Sequence, residues 1–283
     1  MTPSDDAVHS MGPGRLIVCP TPIGNLRDVT LRALDALREA DVIACEDTRR
    51  TRTLLDRYEI EGLLVSLHEH NERERATELL SRIQSGAIVA LVSDAGMPLI
   101  SDPGYALVRA CVRAGVDLEV LPGPSSVLTA LVASGLPVER WCFVGFLPRR
   151  QAELEQMLLD APDTLVAFEA PRRLVATLTV LAERDPARPV AVCRELTKLH
   201  EEVRRGGARE LADHYRENPP RGEVVLVIGA LPAGSGADFE RAVGVLRELV
   251  DAGARPRPAA AVVSELMGVS VNDLYEALTD RHE

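Results

Sequence analysis

Lysine is almost missing from this chain of 283 residues: Lys198 is the only one among 32 basic residues, the rest being arginine. Aromatic residues make up only 3%. No apolar run approaches the roughly 20 residues that a bilayer span needs, which argues against a membrane protein. There is no GxGxxG between a first strand and helix, and no P-loop, since the lone lysine does not follow a glycine-rich turn. No Ser/His/Asp set sits on a nucleophile elbow. The cysteines Cys19, Cys45, Cys111, Cys142 and Cys193 are odd in number, widely spaced and mostly set in apolar strand-like runs. They read as reduced, buried thiols of a cytoplasmic protein, without zinc-site spacing, so no metal is expected. A formal charge of −11 excludes a general nucleic-acid coat but not one local basic face. Residues 1–14 are acidic and lack an apolar core, which reads as a disordered leader rather than a signal peptide.

What is present alternates strand and helix. Buried runs at 15–19, 41–45, 63–67, 87–92 and 118–121 are separated by helical patterns at 31–39, 48–58, 71–84 and 105–114, and a further helix ends near Gly135. That pattern predicts an α/β fold with a mainly parallel N-terminal sheet over 15–136. Gly135, Leu136 and Pro137 mark a boundary. Beyond it, strands at 141–147, 164–169, 190–195 and 223–230, helices at 152–159 and 174–182, and a hairpin strand at 201–205 predict a second α/β domain with a mixed sheet over 137–231. A linker at 231–236 leads into a C-terminal helical segment, 232–283, with helices at 239–251 and 259–277, the second broken near Gly268. A helix-turn-helix pair and a small helical cap read alike here; the cap is favoured.

The densest feature is Ser93-Asp94-Ala95-Gly96-Met97-Pro98-Leu99-Ile100-Ser101-Asp102-Pro103-Gly104. It follows a buried strand and precedes a helix, where open parallel sheets bind ligands. Glycine and proline explain turning, but not two Asp-containing repeats at that position. Small-residue loops also end the first strand, Pro20-Thr21-Pro22-Ile23-Gly24-Asn25-Leu26, and the fifth, Pro122-Gly123-Pro124-Ser125-Ser126. Such loops let backbone groups approach a flat ligand closely.

Together with Cys45-Glu46-Asp47-Thr48-Arg49, Phe168-Glu169-Ala170-Pro171-Arg172-Arg173 and the run Arg194-Glu195-Leu196-Thr197-Lys198-Leu199-His200-Glu201-Glu202, these motifs resemble the small-subunit (16S) ribosomal RNA cytidine 2′-O-methyltransferases of the tetrapyrrole methylase superfamily. The resemblance runs from about Arg15 through the helical tail. It implies a two-domain fold that usually dimerises, and transfer of a methyl group from S-adenosyl-L-methionine to a ribose of small ribosomal subunit RNA. By motif position the cofactor contacts would be Pro22, Gly24, Ser93, Asp94, Met97, Ser125 and Ser126, with Glu169 and Leu196 from the second domain. The family commonly has threonine where this chain has Met97 and often histidine at Arg172. A permanent cation at Arg172 suits a phosphate better than proton transfer.

A ribose hydroxyl is a poor nucleophile, so transfer requires proton removal or charge stabilisation together with in-line placement. Lys198, Glu195 and Glu46 are the candidate catalytic residues. Lys198 acts either as a base with a lowered pKa or, held protonated by neighbouring carboxylates, as an electrostatic stabiliser. The run from Glu46 to Arg49 also reads as a helix N-cap. Arg49, Arg52, Arg149, Arg150 and Arg172 form a candidate RNA-binding rim. With aromatics so scarce, recognition is expected to rest on backbone shape within an assembled ribosomal particle. Two rivals share these features: a relative that methylates a tetrapyrrole carbon, and a non-catalytic assembly factor with a vestigial pocket.

Overall fold

The computed structural model describes residues 14–159, 161–230 and 236–279. The leader expected at 1–14 therefore lies outside the described residues except for Gly14, as does most of the linker. The first sheet holds β1 (Arg15–Cys19), β2 (Val42–Cys45), β3 (Leu64–Ser66), β4 (Ile88–Val92) and β5 (Asp117–Val120) in the order β3-β2-β4-β1-β5. All its pairings are parallel. Strands in such a sheet are buried on both faces. Accordingly Ile17 and Cys19 pack with α1 (Leu31–Glu39) and α2 (Thr48–Arg57), while Leu16 and Val18 pack with α3 (Glu72–Gln84) and α4 (Tyr105–Ala114). Thr30 caps α1, its hydroxyl accepting from the Ala33 amide at 3.1 Å. β1 and β4 are neighbours whose outgoing connections run in opposite directions, so a switch point opens beyond their carboxyl ends.

The second sheet is mixed, in the order β6-β7-β10-β8-β9, from β6 (Trp141–Phe146), β7 (Thr164–Glu169), β8 (Pro189–Arg194), β9 (Glu202–Gly207) and β10 (Val224–Ile228). β6 and β7 run parallel, and the expected hairpin of β8 with β9 is antiparallel. One face packs against α6 (Gln151–Leu159), α7 (Leu174–Arg184) and α8 (Ala208–Glu217), of which α8 was not assigned from the sequence. The other face is covered by α5 (Ser126–Ser134), through Val127, Ala130 and Leu131. So the helix preceding Gly135 builds the core of the sheet that follows it. Ile23 from the β1 loop and Leu196 join the same cluster, which ties the two halves together. The C-terminal segment is three helices, α9 (Gly236–Asp251), α10 (Pro256–Met267) and α11 (Val271–Thr279), around Ala242, Leu246, Val263 and Leu274. The expected break falls at Gly268, left-handed at φ 67°.

Four cysteines are buried and Cys142 is exposed, a departure from the expectation that all are shielded. Burial pushes the Cys19 thiol up to about 12 and the Cys193 thiol to about 11, so both stay protonated. No helix among the described residues is long and apolar enough to cross a membrane.

Candidate active site

The loops after β1 and β4 are stitched together at the switch point. The Thr21 and Gly96 amides each donate to the other's carbonyl, at 2.9 and 3.0 Å. The Thr21 hydroxyl donates to the Ser93 carbonyl at 3.0 Å, and the Ser93 hydroxyl to the Gly96 carbonyl at 3.0 Å. Ser93 therefore holds the loop from within. At the far end of the loop, Glu72 accepts from the Gly104 and Ala106 amides at 2.8 and 2.9 Å. Between these anchors Leu99 and Ser101 sit in the left-handed region, at φ 72° and 69°. Strain of that kind, about 1–3 kcal/mol per residue, persists only where surrounding contacts impose it.

The facing wall comes from the segment after β8, where Glu195 and Thr197 are also left-handed, at φ 50° and 66°. Four of the five non-glycine residues with positive φ among those described thus lie in the two facing loops. A Cβ on Gly24 would stand 2.5 Å from the Lys198 stem, and the Asn25 amide donates to the Thr197 hydroxyl at 3.0 Å. Only glycine lets the first loop approach the second this closely. A Cβ on Gly222 would likewise overlap the Glu195 side chain.

Between the walls lies a cleft of about 420 Å³, within the range of small-molecule sites. Glu46, Asp94 and Asp102 face it from the first domain. Asp94 accepts from the Asp47 amide at 3.0 Å and pairs with Arg50 at 3.5 Å. Burial, then the charges of Glu46 and Asp94, push the Asp102 carboxyl up to about 7. Burial, then Asp94, also raise Glu46. Opposite them stand Glu195 and Glu223. The Lys198 ammonium donates to both, at 2.9 Å each. Burial works against the charge on Lys198, but these bonds outweigh it and its pKa lies above the ordinary lysine value. The Glu223 amide donating to Glu195, reinforced by Lys198, holds the Glu195 carboxyl below its usual range. Glu169 is 3% exposed and internally satisfied, accepting from the Thr177 hydroxyl at 2.6 Å and the Ala170 amide at 2.7 Å.

The cleft wall brings together Glu46, Asp94, Ser126, Glu169, Glu195 and Leu196 of the residues predicted from sequence. Pro22, Gly24, Ser93, Met97 and Ser125 lie off it; Pro22 is buried, Met97 is half-buried, and Ser125 caps α5 by accepting from the Leu128 amide at 3.4 Å. Lys198 is one layer behind the wall, presenting its two carboxylate partners. The rim arginines follow β2, β6 and β7, strands whose carboxyl ends open on the cleft. Arg49 is bound by Asp47 at 2.7 Å and Arg150 by Glu153 at 3.1 Å. Arg52, Arg149 and Arg172 are exposed, and no carboxylate pairs with them among the described residues. Arg50, Asp102, Glu223, Phe146 and Phe168 also line the wall. Arg50 stands among the arginines of the rim, and Asp102 and Phe168 lie inside the motifs quoted from the sequence, whereas Glu223 and Phe146 carry no local signal.

Residues 15–212 match the family of Tetrapyrrole (Corrin/Porphyrin) Methylases. The chain belongs to that family. It is 46% identical over 276 residues to the ribosomal RNA small subunit methyltransferase I of Mycobacterium tuberculosis (strain ATCC 25618 / H37Rv), covering 95% of each chain. To the protein of the same name from Escherichia coli O157:H7 it is 42% identical over 272 residues, covering 93% of this chain and 94% of that one. Its fold is that of the uroporphyrin-III C-methyltransferase from Thermus thermophilus complexed with S-adenyl homocysteine, at TM-score 0.54 and 23% identity, over 76% of this chain and 97% of that one. The relatives matching over nearly the whole length of this chain are named for ribosomal RNA, whereas this solved structure of the same fold is named for a porphyrin substrate.

Proposed function

We propose that the protein transfers a methyl group from S-adenosyl-L-methionine to the 2′-hydroxyl of a cytidine ribose in small-subunit ribosomal RNA, acting on the assembled subunit. The reading includes a cytoplasmic location and a homodimer, both following the family resemblance. The observation that carries it is the acidic cleft between the domains, in a chain that matches RNA methyltransferases over nearly its whole length.

The donor set suits this cofactor, whose sulfonium and ammonium are both cationic. Glu46, Asp94 and Asp102 crowd three carboxylates into one wall, and two of them have pKa values raised by burial and mutual repulsion. A bound cation relieves that repulsion. When bound, S-adenosylmethionine supplies a methyl group on a leaving group that departs as a neutral thioether, so the chain need provide only placement and proton handling. Among the described residues no group of three or more His, Cys, Asp or Glu is arranged to hold a metal ion.

Glu46, half-buried and with a raised pKa, is the proton acceptor for the ribose hydroxyl in this reading. Lys198 serves as a fixed cation: its two carboxylates keep it protonated, and it keeps Glu195 and Glu223 in one geometry on the opposite wall. Arg49, Arg52, Arg149, Arg150 and Arg172 meet the phosphates around the target, a rim that an acidic protein requires to hold RNA.

Labelled S-adenosylmethionine offered in parallel to small ribosomal subunits, to deproteinised ribosomal RNA and to a porphyrinogen tests the proposal. Label in the subunit, at one nucleotide resistant to alkaline cleavage, is expected. Label in the porphyrinogen alone would transfer the protein to the carbon-methylating branch of the family.

A further inference from the structure

The chain has four phenylalanines, and three of them form one ladder at the cleft. Phe143 meets Phe168 edge-to-face with ring centroids 5.0 Å apart, and Phe168 meets Phe146 at 5.4 Å. The ladder ends on Phe146, which lines the cleft and is 64% exposed. Exposing an aromatic ring so fully at the mouth of a site calls for a reason.

A backbone irregularity aims it there. β6 pairs regularly with β7 from Trp141 to Phe143, and pairing resumes only at Phe146 opposite Phe168, so β6 carries one extra residue. Gly145 occupies the bulge at φ 68°. Strand residues alternate between faces, so an unbroken β6 would put Phe146 beside Val144, which packs into the core under α6, α7 and α8. The bulge turns Phe146 to the face of Phe143 and Phe168 instead. Bulges beside functional sites commonly re-aim a side chain in this way.

Across the cleft the long loop comes close. A Cβ placed on Gly145 would lie 3.9 Å from the Ser101 hydroxyl, and the neighbouring Ile100, 42% exposed, also lines the cleft. Phe146 and Ile100 are thus exposed apolar side chains flanking the point where the two lips meet, while Glu46, Asp94, Asp102 and Glu195 give the cleft its polar wall. A nucleotide has the same division: a flat apolar base joined to a polar ribose and phosphate.

Resting on the RNA reading above, we infer that Phe146 is the stacking platform for the base of the nucleotide whose ribose is methylated, with Ile100 closing over its other face. A ribose drawn into the cleft pulls its base from the RNA stack, and the lost stacking has to be replaced. An exposed aromatic face restores the stacking without demanding a particular sequence. The scarcity of aromatics in the chain is therefore compatible with base stacking, because one ring placed by a bulge suffices.

The test compares wild type, Phe146→Ala and Phe146→Tyr for methylation of small ribosomal subunits, with S-adenosylmethionine affinity measured by calorimetry and folding by thermal melting. Phe146→Ala is expected to lower kcat/KM for the subunit about tenfold, mostly through KM, at unchanged cofactor affinity and melting temperature. Phe146→Tyr is expected to recover activity to within about twofold of wild type, because its ring stacks equally well. The inference is overturned if Phe146→Ala matches wild type, if Phe146→Tyr is as impaired as the alanine variant, or if cofactor affinity falls together with activity, which would assign the ring to the cofactor. No transfer by wild type itself would overturn the RNA reading and this inference with it. An active wild type with an equally active alanine variant would overturn the inference alone.

Discussion

The two walls of the cleft reach rigidity by different means. The first-domain wall is held by backbone: the reciprocal Thr21–Gly96 bonds, the buried Ser93 and Thr21 hydroxyls, and a loop whose far end is gripped by Glu72. The second-domain wall is held by charge: Lys198 between Glu195 and Glu223, and Arg173 reaching Glu169 and the carbonyls of Leu147 and Pro148. Backbone bonds persist across pH and salt, whereas ion pairs respond to both. The wall of charge is therefore the one that substitution should disable with the fold left intact.

Lys198→Met breaks that wall most directly. It leaves Glu195 and Glu223 facing each other without the shared cation, and Glu195 is only 20% exposed at its side chain. Methyl transfer should fall by about a hundredfold, the scale for losing one preorganised electrostatic contact, with cofactor affinity within about threefold of wild type. Lys198→Arg should recover part of the rate because the charge survives. Steady-state rates on small subunits and calorimetry decide it, and normal turnover by the methionine variant would make the cation dispensable.

The backbone wall is challenged by Gly96→Ala. Gly96 sits at φ 81°, and a Cβ there would meet Ile23 at 3.3 Å and the Pro124 carbonyl at 3.6 Å. The left-handed penalty of about 1–2 kcal/mol should lower the melting temperature by a few degrees. It should also weaken cofactor binding by about tenfold if the Thr21 bridge shifts. An unchanged affinity would show that the bridge does not shape the cofactor site.

Asp102 separates the walls by pH. Its folded pKa, about 7, lies above the ordinary carboxylate value, so the folded chain holds this proton more tightly than the unfolded one. Its contribution to stability is fully present below the unfolded carboxylate pKa and is lost as pH rises through about 7. A cationic cofactor favours the ionised carboxylate, so affinity should tighten severalfold between about pH 6 and 8, with proton release visible as buffer-dependent heats. Asp102→Asn should flatten both trends. A wild-type affinity that does not vary over this interval would remove the carboxylate cluster from cofactor binding.

The same contrast decides how much could be read from sequence. β1, α1, α4 and β7 have the ends expected of them, because periodicity, caps and glycine stops are local signals. The loops at 20–26 and 93–104 read as ligand loops because each ends a strand, and Asp94 and Glu46 follow from the family's motifs; that the two loops are bridged is visible only in the structure. Glu223 escaped because its bond to Lys198 spans 25 residues and leaves no spacing to detect. Phe146 escaped because plain alternation puts it on the core face, and only the pairing of β6 with β7 reveals the added residue. Ser93 reads as a cofactor contact by its place in the family's motif, and its hydroxyl donates to the Gly96 carbonyl inside the loop. A motif names the residues of a site without saying which face the ligand and which hold the others in place.

The smallest effect belongs to the exposed rim, where neither wall is disturbed. Arg49 is 89% exposed at its side chain and already bound by Asp47, whose carboxyl it holds down to about 2. It occupies the first turn of α2, where an acidic residue is favoured by the helix dipole, so Arg49→Glu should fold normally. Subunit binding should weaken severalfold at low salt, the difference shrinking as salt rises because the variant releases fewer phosphate counterions than wild type and has the shallower salt dependence. Cofactor affinity should not move. Arg149→Glu and Arg172→Glu, at guanidinium groups that no carboxylate pairs with among the described residues, should each cost more than Arg49→Glu. If all three bind subunits like wild type in low salt, the RNA does not cross this rim; loss of cofactor binding alongside would mean that the variant had misfolded.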